Sequence, residues 1–429
     1  MAVIAMPGSL EARLPAAAPR RYRQALDAKT PTVDARSALY PLGTAVTIPQ
    51  LEGDPHALLA RLRATEPVSW LPALDGWLVT RHDLALQVVR DAETFTVDDP
   101  RFSTAQVVGP SMLSLDGVEH AGHRRPFARP FRLAAVRDRF ADSVKREADA
   151  LIDAIEADGA AELRRAIAGP LAVVAMVHAL GLDETDPTDA LAWYDAIVAE
   201  VTRITAGEPV DGSGSRAFGQ LRAAIEPALD HDPATSLVAA AASDAGGLSR
   251  ADVVSNAAVL LFGGIETTEG MIANAIQHVL QSTVVRDLVA SDPLLRRNAV
   301  EESLRMEPAA AVVDRYVTRD VMLGSASIRE RELVRVSITG ANRDPNVFSD
   351  PDRFSERRHN AARHLAFAQG PHVCLGMHLA RLEAETALER LLVRLPGLRL
   401  DPDRPGVVRG LVFRKPETVH VVWDWRWRR

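Results

Sequence analysis

From about residue 54 to residue 306, apolar side chains recur at steps of three and four. This is the pattern of helices that each bury one face. Asp54-Pro55 gives a start signal, a cap followed by an N1 proline, ahead of Leu58, Leu59 and Leu62. A long helix is expected from near Ser249 to about Gln281, because Ser249-x-x-Asp252 has capping-box spacing with Asp in place of Glu. The uncharged run Ala166 to Leu182 falls short of the roughly 20 residues of a membrane span and reads as a core helix. Leu375, Leu379, Leu382, Leu391, Leu392 and Leu395 trace one face of a last helix. Strand-like runs cover Val68–Trp70, Gly76–Thr80, Val312–Val317, Val321–Leu323, Leu333–Ile338 and parts of Val407–Trp425. Residues 98–114 and 341–370 read as loops, and the Gly/Ser-rich stretch 207–215 as a mobile loop between two helices. Residues 1–50, rich in Ala, Pro and Arg, have weak periodicity and read as an extension or loosely packed arm. No repeat and no clean linker follow residue 54. The expected fold is therefore one large domain over 51–429, mainly α with a minor β portion.

Composition narrows the function. With 47% hydrophobic and 25% charged residues, the 429-residue chain can bury a sizeable core. A net charge of −7 argues against general nucleic-acid binding. The single cysteine, Cys374, excludes an internal disulfide and a multi-cysteine zinc site, so a reducing, cytoplasmic setting is expected. Met1 to Gly8 lacks a basic region and a long apolar run, and makes a poor signal peptide or anchor.

Three stretches carry candidate chemistry. The first is His364 to Gly376, where Cys374 lies between Gly370 and Gly376 and opens the last helix. A thiol there feels the positive end of the helix dipole, which favours thiolate. The glycines let the backbone approach a flat ligand, and Phe367 is placed to keep water from the sulfur. Cys374 is either an inert buried side chain or a ligand. With His372 and His378 it has a zinc-like donor set, although no Glu-bearing metal motif accompanies them. The second stretch is Phe262-Gly263-Gly264-Ile265-Glu266-Thr267-Thr268. Each mid-helix glycine costs about 1 kcal/mol relative to Ala. Two together need a kink, a close packing contact or room for a ligand, and Thr267 can bond back to a carbonyl. Taken alone, the stretch also fits a tight helix crossing with a solvated Glu266. The third is Glu301-Glu302-Ser303-Leu304-Arg305, whose spacing lets Arg305 pair with Glu302 at i+3 or Glu301 at i+4.

The pattern Phe-x-x-Gly-x-His-x-Cys-x-Gly at 367–376 resembles the haem-ligand loop of the cytochrome P450 monooxygenases. The resemblance implies haem b with Cys374 as proximal iron ligand, Phe367 as a shield for the sulfur, and Gly376 beside the cofactor. Ala368 departs from the family, which usually has glycine there. Gly263-Gly264-x-Glu266-Thr267-Thr268 resembles the family's oxygen-activation helix. By that likeness Glu266 and Thr267 relay protons, while Gly263 and Gly264 leave space for oxygen and substrate. The family's Glu-x-x-Arg selects Glu302 and Arg305 as a buried structural pair. His120 and Arg124 match its His-x-x-x-Arg; with Arg315 and His372 they would clamp the haem propionates. The likeness spans roughly residues 54–425. It implies a monooxygenase that inserts one oxygen atom from O2 into a small hydrophobic molecule. The lining is expected from 98–114, 205–215, Ala309–Val312, whose small side chains suggest room, and Leu411–Phe413. No reductase domain fits in the chain, so electrons would come from a separate ferredoxin-type donor, steered to a cationic face of Arg124, Arg125, Arg129, Arg132 and Arg381. The Ala/Arg-rich composition resembles high-GC actinobacterial members that tailor secondary metabolites. Other oxidative outcomes (coupling, dealkylation, peroxide-driven chemistry) and a non-catalytic haem-based binder are the alternatives.

Overall fold

A computed structural model describes residues 33–206, 208–233, 236–244 and 247–424. Residues 1–32 of the expected extension, and Trp425 of the expected C-terminal strands, lie outside them. Among the described residues, eight helices have twelve residues or more. In chain order they are α1 (Gly117–Ala128), α2 (Leu133–Asp153), α3 (Gly169–Leu180), α4 (Pro187–Ala206), α5 (Ser213–Ala228), α6 (Arg250–Leu280), α7 (Pro293–Met306) and α8 (Met377–Arg394). Helix α6 begins as its sequence signalled: the Ser249 side chain accepts from the Asp252 N–H, and Asp252 reaches back to the Ser249 N–H. It is the core of the helical part. Val253, Ala257, Leu261, Ile272, Ile276 and Val279 are buried along it, and α3, α7 and α8 pack around it. No helix among the described residues is long and apolar enough to cross a membrane.

The β portion is peripheral. Its main sheet holds β1 (Val68–Leu71), β2 (Gly76–Val79), β3 (Phe95–Thr96), β4 (Val312–Val317) and β5 (Leu333–Ser337), in the spatial order β1-β2-β5-β4-β3. The pair β2–β5 is parallel, with Gly76 opposite Leu333, and the other pairs are antiparallel. The C-terminal runs form short pairs, Val408–Arg409 with Lys415–Pro416, and His420–Val422 with Ala160–Glu162.

Three stretches differ from the sequence reading. Within 98–114, Ser103–Val108 is a helical turn and a half, because Val107 and Val108 bury against the α6 core. The Gly/Ser-rich stretch is already helical from Ser213, where the buried Glu200 carboxylate accepts from the Gly214 N–H at 2.8 Å and the Ser215 hydroxyl at 3.0 Å. Residues 36–50, expected to pack loosely, instead lie on the sheet. Val46 and Ile48 are buried, the Arg36 guanidinium stacks 4.4 Å from the Trp70 ring, and Tyr40 meets Trp77 edge-on at 5.1 Å.

The two glycines of α6 have different physical reasons. A Cβ on Gly264 would collide with the Met176 side chain of α3, so this glycine permits the close crossing. A Cβ on Gly263 would meet nothing within 4 Å, and this residue is exposed on an otherwise buried helix.

The long meander from β5 to α8 has little apolar content and is held by charge. Glu302 and Arg305 of α7 are both 0% exposed and bonded at 2.7 and 2.8 Å. Arg358 of the meander donates to both oxygens of the same carboxylate at 2.8 and 3.0 Å. The remaining guanidinium donors reach backbone carbonyls: Arg305 to Asn342 and Pro351, Arg358 to Ser349, Asp350 and Arg353. Asn342 in turn accepts the Leu365 N–H at 2.7 Å, just before the Cys374 loop. Arg305 thus pairs with Glu302, at i+3. Glu301 instead binds Arg381 at 2.5 and 2.9 Å and His364 at 3.2 Å.

Arg358→Met is expected to lower the unfolding free energy by about 3–5 kcal/mol, since it removes one partner of a buried ionic network; a loss under about 1 kcal/mol in urea titration would contradict this assignment. In the same assay Gly264→Ala should cost roughly 1–3 kcal/mol by overpacking. Gly263→Ala should leave stability unchanged or raise it by up to about 1 kcal/mol.

Candidate functional site

The Cys374 loop is shaped by its backbone. The Cys374 N–H donates to the Phe367 carbonyl at 2.8 Å, and a tight turn at Gly370–His372 precedes the thiol. Gly370 has φ +73°, and any Cβ there would lie 2.8 Å from the Val89 carbonyl. Ala368 also takes a left-handed conformation, φ +54°, which costs an alanine roughly 1–2 kcal/mol. The loop keeps its shape without a glycine at that point because the Ala368 N–H bonds the Leu365 carbonyl at 2.8 Å and both flanks are fixed. Helix α8 starts after Gly376, so Cys374 sits just ahead of its N-terminus.

The thiol is reachable by small molecules yet densely surrounded by protein, so it lines an interior cleft. Burial pushes its pKa up. The N–H groups of Gly376 and Met377 and the guanidinium groups of Arg124 and Arg381 pull the other way without overcoming it. A coordinated metal cation would remove that proton outright. Arg124 is fixed by donating to the Val373 carbonyl at 2.5 Å. The Phe367 ring lies between the Arg381 guanidinium, at 4.5 Å, and the His364 ring, at 5.7 Å. Both flanking groups bond Glu301, and although burial would raise that carboxyl, His364 and Arg381 hold it down at about 2. Arg381 is therefore a paired, loop-bracing cation, contrary to the reading that set it on a free basic face.

His120, Arg315 and His372 converge on Asp116, the N-cap of α1. His372 Nε2 lies 2.6 Å from Asp116 Oδ1, while the other carboxylate oxygen accepts from the Thr96 hydroxyl at 2.6 Å and the Val97 N–H at 2.8 Å. Burial works to raise the Asp116 pKa, and these bonds bring it below the ordinary carboxylate value. The His120 ring packs 4.3 Å from His372 and its Nε2 has no hydrogen-bond partner. Burial, with His372 and Arg124 nearby, pushes its pKa down to about 4. Arg315, 5% exposed, makes one side-chain hydrogen bond, to the Asp314 carbonyl at 2.7 Å. A buried orphan imidazole nitrogen and a buried guanidinium with unspent donors, beside a cleft-lining thiol, are a donor set that fits an iron porphyrin with an anionic edge. Among the described residues no three His, Cys, Asp or Glu side chains are grouped to share a metal ion, and His372 is committed to Asp116.

On α6, the Thr267 hydroxyl bonds back to the Gly263 carbonyl. Glu266 is not solvated: Oε2 accepts from the Tyr194 hydroxyl of α4 at 2.5 Å, and Oε1 pairs with Lys415 Nζ at 2.8 Å. Lys415 also binds Glu269, which pairs with Arg164 at 2.9 Å. Burial, and next the Glu266 charge, push the Tyr194 pKa far up, so the phenol stays protonated. The expected lining segments 309–312 and 411–413 are joined, with the Ala311 N–H on the Val412 carbonyl at 2.8 Å. The small residues there serve packing more than room: Ala309 abuts Gly270, and Ala311 is buried. Phe413 and Tyr194 each lie 6.1 Å from the Phe262 ring.

The sequence reading missed Asp116, Tyr194, Lys415 and Arg358. Only Asp116 had a local signal, an acid directly before a helix start.

A family model for Cytochrome P450 matches residues 271–396. The chain is 34% identical to the nocardicin C N-oxygenase of Nocardia uniformis subsp. tsuyamanensis, over 91% of this chain and 99% of that one. It is 33% identical to the cytochrome P450 monooxygenase PikC of Streptomyces venezuelae, over 89% and 91%. Among solved structures it superposes on CalO2 with a TM-score of 0.79 at 27% identity, covering 87% of this chain and 96% of that one. With CYP109B1 from Bacillus subtilis the TM-score is 0.76 at 26% identity, covering 86% and 99%. Taken with the donor set about Cys374, these likenesses make the chain a member of the cytochrome P450 family, haem-thiolate oxidoreductases that carry haem b.

Proposed function

We propose that this enzyme inserts one oxygen atom from O2 into a small hydrophobic secondary metabolite, with Cys374 as the thiolate that would hold the haem iron. The observation that carries the reading is the Cys374 sulfur itself, accessible just ahead of the α8 N-terminus, with Arg124 fixed beside it on the Val373 carbonyl. When bound, the haem supplies oxygen activation and O–O cleavage, which the thiolate promotes. The chain supplies the rest. Gly376, Met377 and Arg124 stabilise the sulfur's negative charge. His120, Arg124, Arg315 and His372 would hold the propionates, with Asp116 orienting His372. Gly263 leaves the open side of α6 free for oxygen and substrate, and Gly264 sets the depth of that side through Met176. Thr267 Oγ1 presents a proton that Glu266 resupplies, so that protons arrive at one point of an otherwise dry site.

The Phe262 and Phe413 rings, 6.1 Å apart, support a hydrophobic substrate. Relatives named for nocardicin C, 20-oxo-5-O-mycaminosyltylactone and mycinamicin IV support a secondary metabolite. Electrons come from a separate ferredoxin-type protein, which suits a cytoplasmic enzyme. Arg129 and Arg132 are exposed, without an ion pair among the described residues. A cationic face fits an acidic partner.

Reduced protein with carbon monoxide is expected to show the thiolate-type Soret shift, and Cys374→His to bind haem without it. Persistence of the shift in Cys374→Ala would sink the ligand assignment. Thr267→Ala is expected to lower product formed per O2 consumed on the order of tenfold, with peroxide or water formed instead. Coupling equal to the parent enzyme would remove Thr267 from proton delivery.

A further inference from the structure

The Glu266 carboxylate is fully engaged away from its neighbour in sequence. One oxygen is taken by Tyr194 of α4 at 2.5 Å, the other by Lys415 at 2.8 Å. No hydrogen bond joins it to Thr267, whose hydroxyl is spent on the Gly263 carbonyl. Three segments far apart in the chain thus meet on one side chain: α4, α6 and the hairpin at Lys415. We infer that the Tyr194–Glu266 bond is a latch that fastens α4 over the site, and that Glu266 reaches its proton-handling position only when this latch opens. The inference rests on the proton role proposed above for Glu266.

The surroundings make the latch releasable. If Glu266 swings away, Lys415 is not left alone, because it already binds Glu269, and Glu269 is also held by Arg164. Helices α4 and α5 are braced to each other through Glu200, Gly214 and Ser215, and through the Arg203–Asp211 pair at 3.0 Å. The hairpin therefore moves as one body, and the Tyr194 hydroxyl is its hydrogen bond to the Glu266 carboxylate of α6. Tyr194 and Lys415 are positioning residues: they act through Glu266.

The test is amide hydrogen exchange on the haem-loaded, substrate-free full chain, with Tyr194→Phe, Glu266→Ala and the double variant. Each single change is expected to speed exchange in residues 190–200 on the order of tenfold, with no further gain in the double variant. Unchanged exchange in Tyr194→Phe, or single effects that multiply in the double, would overturn the latch. Infrared spectroscopy gives a second readout: the carboxylate band lost in Glu266→Gln should shift in Tyr194→Phe, and a band that stays in place rules the bond out. Neither measurement needs turnover. A failure of the latch is therefore distinguishable from a failure of the proton reading, which the coupling of Glu266→Gln decides separately.

Discussion

Glu302 carries one negative charge in a fully buried place, and two guanidinium groups close on it. Neither arginine gains from being there unless the other donors are also satisfied. Those donors are satisfied by carbonyls of the meander between β5 and α8, a segment without the apolar repeat that would hold it by hydrophobic contact. The arrangement is cooperative for that reason: removing any member leaves charge or carbonyls unpaired in a medium of low dielectric. The Cys374 loop inherits its stiffness from this network through Asn342 and Leu365. A second carboxylate, Glu301, repeats the device one residue earlier, gripping Arg381 and His364 on either side of Phe367. Adjacent acids on α7 thus fix the two ends of one loop.

Helix α6 divides its labour among adjacent residues by the turn of the helix alone. Gly264 faces α3 and sets how closely the two helices approach. Gly263, one position earlier, faces the cleft, and the carbonyl it exposes is taken by the Thr267 hydroxyl. Glu266 points to a third side, towards α4 and the C-terminal hairpin. A single change of register along this helix would exchange these roles.

The large helices, four of the five main strands and the Cys374 loop were legible because their signals are local: periodicity, caps and a spaced motif; β3, two residues long, carries no such signal. For Arg305, spacing left Glu302 and Glu301 both open, and the family's Glu-x-x-Arg pattern selected Glu302. The members that escaped have partners across the chain. Asp116 meets His372 from 256 residues away, Tyr194 meets Glu266 from 72, and Arg358 meets Glu302 from 56. No spacing rule reaches that far. The helix at Ser103 was hidden for a different reason: Asp-Asp-Pro before it and Gly-Pro after it are loop signals, and tertiary burial of two valines outweighs them. Arg381 was read as a surface cation because its charge is visible in sequence and its pairing is not.

The Gly263–Thr268 turn lies near the middle of a 31-residue helix. At 1.5 Å per residue the rod is about 46 Å long, with roughly 20 Å of helix on either side of that turn. Helices loosen from their ends, a turn or so at a time. Fraying that begins at Arg250 or Leu280 therefore dies out well before it reaches the glycines. The backbone there is isolated from the ordinary breathing of the molecule along its own axis, and only sideways displacement of the neighbouring helices can alter it.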